Sequence, residues 1–156
     1  MIDHLDKKIL NQLMVDAKTS YAELAKSFAV SPATIHVRIE KMRQQGIITG
    51  THIEVDPKVL GFDVCCFIGI KLNRATDYPE VLEQLRNIDA VTEAYYTTGQ
   101  YSVLIKIMTR TIDDLQWLLI DKIQSISAIQ STETLISLQN GIQRQLNVMT
   151  ETKQAS

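Results

Sequence analysis

Two helix-start signals in the first third of the sequence constrain the fold of this chain most strongly. Ser20 is followed three positions later by Glu23, the spacing of a capping box at a helix N-terminus. Shortly afterwards, Ser31 can accept hydrogen bonds from first-turn amides, and Pro32 suits the first helical position because no N–H is needed there. The chain is therefore expected to start two helices close together, with a tight turn between them.

The spacing of apolar residues predicts three helices in this region. From Leu5 to about Asp16, apolar positions recur with a 3.6-residue period, which predicts a longer first helix. The third helix is expected to end near Gln45, because Gly46 follows as a C-terminal breaker. Two short helices joined by a tight turn form a helix-turn-helix, whose second helix enters the major groove of double-stranded DNA. The alternating residues 51–55 then predict a strand or wing.

The third helix carries the candidate DNA contacts on the side that faces away from the core. Residues near its start can meet base edges, and basic residues further along fit phosphate contacts better. The candidates are Ser31, Ala33, Thr34, His36, Val37, Arg38, Lys41 and Arg43. The formal charge of +2 over residues 1–50, against −4 over the remainder, suits this interpretation without establishing it. The alternative is a plain three-helix bundle whose polar face is only solvated.

The remainder of the sequence predicts a ferredoxin-like domain with the order β-α-β-β-α-β. Gly99-Gln100 separates two runs rich in β-branched and aromatic residues, which indicates a hairpin. Asp77 with Glu80 and Thr111 supply helix-start signals, and the second helix is expected to align Ile112, Leu115, Leu119 and Ile123 on one face. The predicted strands are Val64–Leu72, Val91–Thr98, Tyr101–Thr109 and Ile129–Leu138.

One face of the predicted sheet is left without helices, yet it carries apolar residues. Leu104 and Met108 occupy positions where solvent would favour polar side chains, so a second subunit is expected to pack there. Ordinary surface hydrophobicity is the alternative. The nearby Tyr, Thr and Ser residues around the hairpin favour a tight turn on composition alone, with a ligand cleft as the minority interpretation.

The chain is thus predicted to be an α+β protein, with an N-terminal winged helix-turn-helix followed by a ferredoxin-like βαββαβ domain. Residues 1–55 form the DNA-binding domain, with the helix-turn-helix at about 20–45, and residues 56–62 form a linker containing Pro57 and Gly61. Residues 63–140 form the second domain. Residues 141–156 form a tail, which from about Gln143 has no clear pattern and is expected to be disordered.

Several classes of protein are disfavoured by the composition. No apolar run is long enough for a membrane span, so a cytoplasmic protein is expected, associated with the nucleoid when bound to DNA. Cys65 and Cys66 are adjacent, which favours two small buried side chains over a disulfide or a metal site.

Metal binding and catalysis are also disfavoured. The three histidines, His4, His36 and His52, are scattered, so neither a metal site nor a cofactor is expected. Ferredoxin-like domains also host enzymes, but the carboxylates of the second predicted helix have no evident base or nucleophile as a partner. They are Asp113, Asp114 and Asp121.

Several segments together resemble the Lrp/AsnC family over about residues 2–140. They are SPATIHVR (31–38), GII (46–48), EAYYTTG (93–99), YSVLIKIM (101–108) and STETLISLQN (131–140). The last three are similar to the asparagine-responsive rather than the leucine-responsive members. The resemblance implies a transcription regulator, acting as an activator or a repressor. It also implies a homodimer formed by pairing C-terminal sheets, which assembles further into an octamer.

The resemblance also implies an amino-acid effector, L-asparagine, bound between subunits near the hairpin. The implied effector residues of the hairpin are Thr98, Gly99, Gln100, Tyr101 and Ser102, and those of the neighbouring subunit are Gln124, Thr132 and Thr134. The commoner family pattern has Asp where this chain has Ser102. The effector's ammonium must then find other acceptors, such as backbone carbonyls, because an unpaired buried charge is costly. A different small amino acid is the alternative effector.

Overall fold

The computed structural model describes residues 1–150, which divide into two compact units. One unit comprises residues 1–54 with the segment from residue 142, and the other comprises residues 55–141. Residues 142–150 form neither helix nor strand. The rest of the tail that was predicted to be disordered, residues 151–156, lies outside the described residues. No helix in the described part of the chain is long and apolar enough to cross a membrane.

The N-terminal unit contains the three predicted helices. They are α1 (His4–Val15), α2 (Tyr21–Phe28) and α3 (Pro32–Gln44). The capping box between Ser20 and Glu23 is present, and the Ser31 hydroxyl accepts a hydrogen bond from the Thr34 amide at 3.1 Å. These caps satisfy amides that would otherwise lack partners at the starts of α2 and α3. The buried residues of the core are Ile9, Leu24, Ala25, Ile35, Ile39 and Met42.

The turn between α2 and α3 is tight and is closed by a left-handed residue. Ala29 has φ 53° and ψ 45°, a conformation that costs a residue with a Cβ atom more than it costs glycine. The Val30 amide donates to the Ala25 carbonyl oxygen at 3.0 Å, which is the hydrogen bond that ends α2. The helix-turn-helix predicted from the two caps is therefore confirmed.

The strand predicted at residues 51–55 is wrong. These residues form no regular element, and the side chains of Ile53 and Val55 are exposed. Alternating side chains do not make a strand without a hydrogen-bonded neighbour. Within residues 1–150, the sheet consists of four other strands, so this segment has no ladder to join.

The second unit is the predicted ferredoxin-like domain. Its strands are β1 (Val64–Leu72), β2 (Val91–Tyr96), β3 (Val103–Thr109) and β4 (Ile129–Ile136). They are antiparallel to their neighbours, in the order β2-β3-β1-β4. Between β1 and β2 lies α4 (Tyr78–Arg86), and between β3 and β4 lies α5 (Ile112–Trp117). Ile68, Ile105 and Leu85 are among the residues buried between the sheet and its helices.

The hairpin strands are shorter than predicted. β2 ends at Tyr96 and β3 starts only at Val103, because the intervening backbone closes a turn in which the Thr97 amide donates to the Ser102 carbonyl oxygen at 3.0 Å. β4 likewise ends at Ile136 rather than at Leu138. The predicted elements and their order are correct, whereas the strand ends are set by pairing that the local pattern does not contain.

The helix start predicted at Asp77 lacks the expected capping box. Asp77 precedes α4, but its side chain makes no capping hydrogen bond. It accepts instead from the guanidinium of Arg74, with an Nη2–Oδ1 distance of 2.9 Å, after a short 3₁₀ turn at Ala75–Asp77. An ion pair with a neighbouring arginine thus replaces the cap.

The predicted apolar face of the second helix is only partly correct. Thr111 caps α5 as predicted, but Ile112 is exposed, and Leu118 is buried together with Leu115 and Ile123. Leu115 and Leu118 have α-helical spacing, and the wide π-helical turn that follows, Leu118–Ile123, then places Ile123 on the buried face five residues after Leu118.

Candidate DNA-binding and effector-binding sites

Helix α3 presents a continuous outward face on the N-terminal unit. The eight residues predicted to contact DNA all lie on this helix or at its cap, and none of them is buried. Thr34 and Arg38 are half-buried, and the other six are exposed. Val37 is a large apolar side chain that is nevertheless 65% exposed, and an apolar side chain in this position suits contact with a thymine methyl group.

Several residues of this face already have partners inside the protein. The hydroxyl groups of Ser31 and Thr34 are hydrogen-bonded to each other at 2.8 Å, so they stabilise the first turn of α3. The His36 ring lies 5.6 Å from the ring of Tyr21, centroid to centroid. Arg43 pairs with Glu40, and this hydrogen bond raises the pKa of the arginine.

Arg38 forms hydrogen bonds with two acidic side chains outside its own helix. Its Nη1 atom donates to Asp3 Oδ2 at 2.6 Å and to Asp6 Oδ1 at 2.8 Å. The hydrogen bonds that Arg38 donates to Asp6 and then to Asp3 raise the pKa of the arginine, so the guanidinium keeps its charge. The prediction that Arg38 meets a base edge stays a prediction, and these ion pairs give it a competing role.

The two aspartates were not singled out from the sequence, although a signal was present. Asp3 and Asp6 have the i, i+3 spacing of a capping box, and each accepts from the other's backbone amide, at 2.8 and 3.0 Å. The amide of Asp6, followed by Arg38, lowers the pKa of Asp3. The spacing indicates a cap for α1, but it contains no information about the distant Arg38.

In the second unit, the hairpin between β2 and β3 contains five of the predicted effector residues. Thr98, Gly99 and Gln100 are exposed at its tip, and Gly99 has φ 101°, which favours glycine. The turn is held at its base, where the Thr97 hydroxyl donates to the Tyr101 carbonyl oxygen at 2.9 Å. This arrangement presents a turn that is hydrogen-bonded at its base and exposed at its tip.

Tyr101 and Ser102 anchor the hairpin to β1. The Ser102 amide donates to the Ile70 carbonyl oxygen at 2.8 Å. The Tyr101 ring lies directly against Gly69, where an added Cβ atom would come within 2.7 Å of three ring carbons. Gly69 was missed from the sequence, although a lone glycine inside a strand indicates a close approach of another group.

The remaining predicted effector residues lie near β4. The Gln124 side-chain amide donates to the Thr132 hydroxyl at 2.9 Å, so these two candidates are in contact. Thr132 and Thr134 are opposite Ile70 and Ile68 of β1, which places them on the helix-covered face of the sheet. Ser102 and Thr132 therefore lie on either side of Ile70, at the same end of the sheet.

The face of the sheet without helices carries apolar residues on its two central strands. Leu104 and Met108 are half-buried, as are Cys65 and Phe67, although the helices of this unit pack on the opposite face. Towards β2, Lys106 pairs with Glu93 at 3.3 Å. The pKa of Glu93 is lowered, first by the Tyr95 hydroxyl and then by Lys106.

Cysteines and carboxylates suggest no further chemistry. Burial raises the pKa of Cys66 to about 11, so this thiol remains protonated. The Asp114 side chain accepts from the Thr111 amide at 3.1 Å and serves as a helix cap. Among residues 1–150, no group of three or more histidine, cysteine, aspartate or glutamate residues could hold a metal ion.

A helix-turn-helix with an exposed recognition helix, joined in one chain to a ferredoxin-like domain, defines a DNA-binding transcription regulator with a second, sensory domain. Residues 2–49 match the family model described as winged helix-turn-helix DNA-binding, and residues 65–146 match that of the Lrp/AsnC ligand binding domain. The chain belongs to the Lrp/AsnC family.

Individual relatives agree with this assignment. The chain is 65% identical over 144 residues to Regulatory protein AsnC of Escherichia coli strain K12, which covers 92% of this chain and 95% of that protein. It is 60% identical over 145 residues to Regulatory protein AsnC of Haemophilus influenzae, which covers 93% and 97%. The solved structure of E. coli AsnC matches with a TM-score of 0.91 and 63% identity, covering 94% of this chain and 99% of that one. These relatives are regulators rather than enzymes.

Proposed function

We propose that this regulator binds a palindromic operator as a dimer and responds to L-asparagine. The observation that carries the proposal is the exposed face of α3, combined in one chain with a ligand-binding domain that is close in sequence to the AsnC proteins. Two copies of α3 would occupy successive major grooves about 34–36 Å apart. Its site of action is the DNA of the nucleoid, in the cytoplasm.

The residues of α3 divide into two roles. Ala33, His36 and Val37 are exposed near the start of the helix and are assigned to base edges. Lys41 and Arg43 are exposed further along and are assigned to phosphates, which makes the affinity sensitive to salt. Ser31 and Thr34 shape the helix start through their mutual hydrogen bond, and their backbone lies where a helix N-terminus favours phosphate.

The effector site is assigned to the hairpin of one subunit and the β4 end of another. Thr98, Gly99, Gln100 and Tyr101 surround the turn, and Ser102 offers a hydroxyl group where the commoner family pattern has a carboxylate. Gln124, Thr132 and Thr134 would complete the site from the neighbouring subunit. Hydroxyl and amide groups suit the side-chain amide of asparagine, which both donates and accepts hydrogen bonds.

Subunit pairing is assigned to the helix-free face of the sheet. Leu104 and Met108 would bury their exposed area against the same face of a second copy, as an isologous contact requires. Dimers would then assemble further, towards an octamer. Asparagine can act only by binding one arrangement of the assembly better than another.

Calorimetric titration tests the effector assignment. Asparagine is expected to bind selectively when leucine, glutamine and aspartate are titrated at equal concentrations. Ser102→Ala should weaken asparagine binding, because it removes a hydroxyl group at the hairpin base, whereas Ser137→Ala, after β4 at the opposite end of the sheet, should not. Selective binding of a different amino acid would support the alternative effector, and binding of none would refute the sensor assignment.

Sedimentation tests the pairing assignment. Leu104→Glu on the helix-free face is expected to reduce the mass in solution to that of a monomer, because it would bury an unpaired charge between two sheets. Leu138→Glu is the matched control, since Leu138 is already 94% exposed and follows β4. An unchanged mass for Leu104→Glu would contradict pairing through this face.

A further inference from the structure

Arg38 differs from the other polar residues of the recognition helix in having two carboxylate partners, one of them buried. Its guanidinium binds two carboxylates, those of Asp3 and Asp6, at 2.6 and 2.8 Å. The Asp6 side chain is only 8% exposed, and the arginine side chain is 28% exposed. A charged hydrogen bond to a buried carboxylate is not given up easily, because the carboxylate would be left without its partner.

Both carboxylates are themselves held in place. Each carboxylate accepts a hydrogen bond from the backbone amide of the other aspartate, in the capping box that starts α1. The arginine therefore binds two acceptors whose positions are set by backbone hydrogen bonds, and the side chain links the middle of α3 to the N-terminus of α1. The residues that it connects are more than thirty positions apart in sequence.

The location of Arg38 on α3 determines what this link controls. Ala33, Val37 and Lys41 follow one another at i, i+4 spacing and form an outward stripe, while Ile35 and Ile39 face the core. Arg38 lies between the two faces. A link at this position adds to the buried side chains of α3 as a restraint on the rotation of the helix about its own axis, and so on the direction of the outward stripe.

The charge of the cluster argues against a DNA contact through Arg38 itself. One arginine and two aspartates carry a formal net charge of −1, so the cluster as a whole repels phosphate. A base contact would require the guanidinium to leave both carboxylates, one of them buried. We propose, on the basis of the DNA-binding role proposed for α3, that Arg38 is a positioning residue that orients the recognition helix rather than reading a base.

Substitution of the aspartates provides the sharpest test. A positioning role for Arg38 and a purely electrostatic effect predict opposite changes in DNA affinity. Asp3→Asn removes one of the two ion pairs of Arg38 but keeps a side chain that caps helices well. Without a positioning role, the loss of a negative charge beside the recognition helix should strengthen DNA binding. If Arg38 has a positioning role, binding to the operator should weaken on the order of tenfold, the size of effect expected when residues in contact depend on each other. Asp6→Asn should act in the same direction.

The operator is first selected from a random duplex library with the wild-type protein, and affinities are measured well below the melting temperature of each variant. Arg38→Ala, Asp3→Asn and Asp6→Asn should each lower operator affinity, and also the ratio of operator affinity to random-DNA affinity, while the slope of log affinity against log salt stays unchanged. Lys41→Ala is the matched control: loss of one phosphate contact should reduce that slope by about 0.9. A change confined to stability would alter neither the preference for the operator nor the slope.

Single base-pair substitutions in the operator separate positioning from base reading. With Arg38→Ala, a positioning role relaxes the preference at several positions, whereas a base-reading arginine leaves a single position tolerant of any base. The losses of operator affinity caused by Arg38→Ala and Asp3→Asn should not add up when the two substitutions are combined. Relaxation at a single position, or stronger operator binding by Asp3→Asn, would overturn the proposal. Failure of the wild type to enrich any duplex would instead refute the DNA-binding function itself.

Discussion

Replacing Gly69 with alanine tests how the hairpin is held against the sheet. The new Cβ atom would lie 2.7 Å from Cγ, Cδ1 and Cδ2 of Tyr101. Carbon atoms in contact prefer about 3.5–4.0 Å, so the ring would have to move by roughly 1 Å. Because Gly69 is buried and belongs to a central strand, the backbone has little freedom to absorb this displacement.

The expected change in the free energy of unfolding is the difference between two opposing effects. Forcing an extra methyl group into a packed position costs about 1–3 kcal/mol. Alanine in place of glycine within a strand returns roughly 0.5–1 kcal/mol, because less backbone entropy is lost on folding. Gly69→Ala is therefore expected to lower the free energy of unfolding by about 1–2 kcal/mol. If Tyr101 contributes to the effector site, asparagine affinity should fall as well.

The assay is equilibrium denaturation at a fixed protein concentration, since assembly would otherwise change the apparent stability. Gly141→Ala is the matched control, because an added Cβ atom there meets nothing within 4 Å. In a Tyr101→Ala background the obstructing ring is absent, so Gly69→Ala should become neutral or slightly stabilising. A loss of stability equal to that in the wild-type background would refute the assigned contact.

Three further predictions concern other parts of the chain. Ala29→Gly should raise the free energy of unfolding by about 1 kcal/mol, because it removes the left-handed strain in the turn before α3. Stability should fall as pH rises above 9, because Cys66 ionises in the unfolded chain near 9.0 but in the folded chain only at about 11. Arg110→Ala should cost on the order of 1 kcal/mol, since Arg110 donates to the Leu60 carbonyl oxygen at 3.0 Å and stacks 4.5 Å from the Phe62 ring.

Denaturation curves check all three predictions. A loss of stability in Ala29→Gly would contradict the left-handed conformation. The alkaline loss should diminish in Cys66→Ala, and an equal loss there would assign it to another group. For Arg110→Ala, the matched variant is Arg86→Ala, whose ion pair with Glu83 is exposed and should contribute little. Equal effects of the two arginine variants would contradict a special role for Arg110.

Most of the fold could be predicted because its determinants are local. The cap at Ser20 with Glu23, and the cap at Ser31 with Pro32, act within one helical turn, and both are present as predicted. The order of the strands followed from hydrophobic patterning and one glycine hairpin. The strand expected at 51–55 and the cap expected at Asp77 failed, because a strand requires a partner and a carboxylate takes the best available donor, here Arg74.

The candidate sites were predicted less completely than the fold. The exposed face of α3 follows from helical periodicity, and Gly99 follows from the requirements of a tight turn. The contact of Tyr101 with Gly69 and the ion pairs of Arg38 join residues that are distant in sequence. No periodicity encodes such pairs, because they depend on how completed elements pack.

The sequence by itself determined most of the helices and strands and the apolar face of most of them, since caps, turns and periodicity act over a few residues. Only the tertiary structure decided that Arg38 binds the cap of α1 and that the ring of Tyr101 covers Gly69. The physical reason is that these contacts join elements whose relative placement is set by the packing of a whole core. That placement brings an arginine of the recognition helix and a glycine of a central strand into contact with residues that lie far away in the sequence.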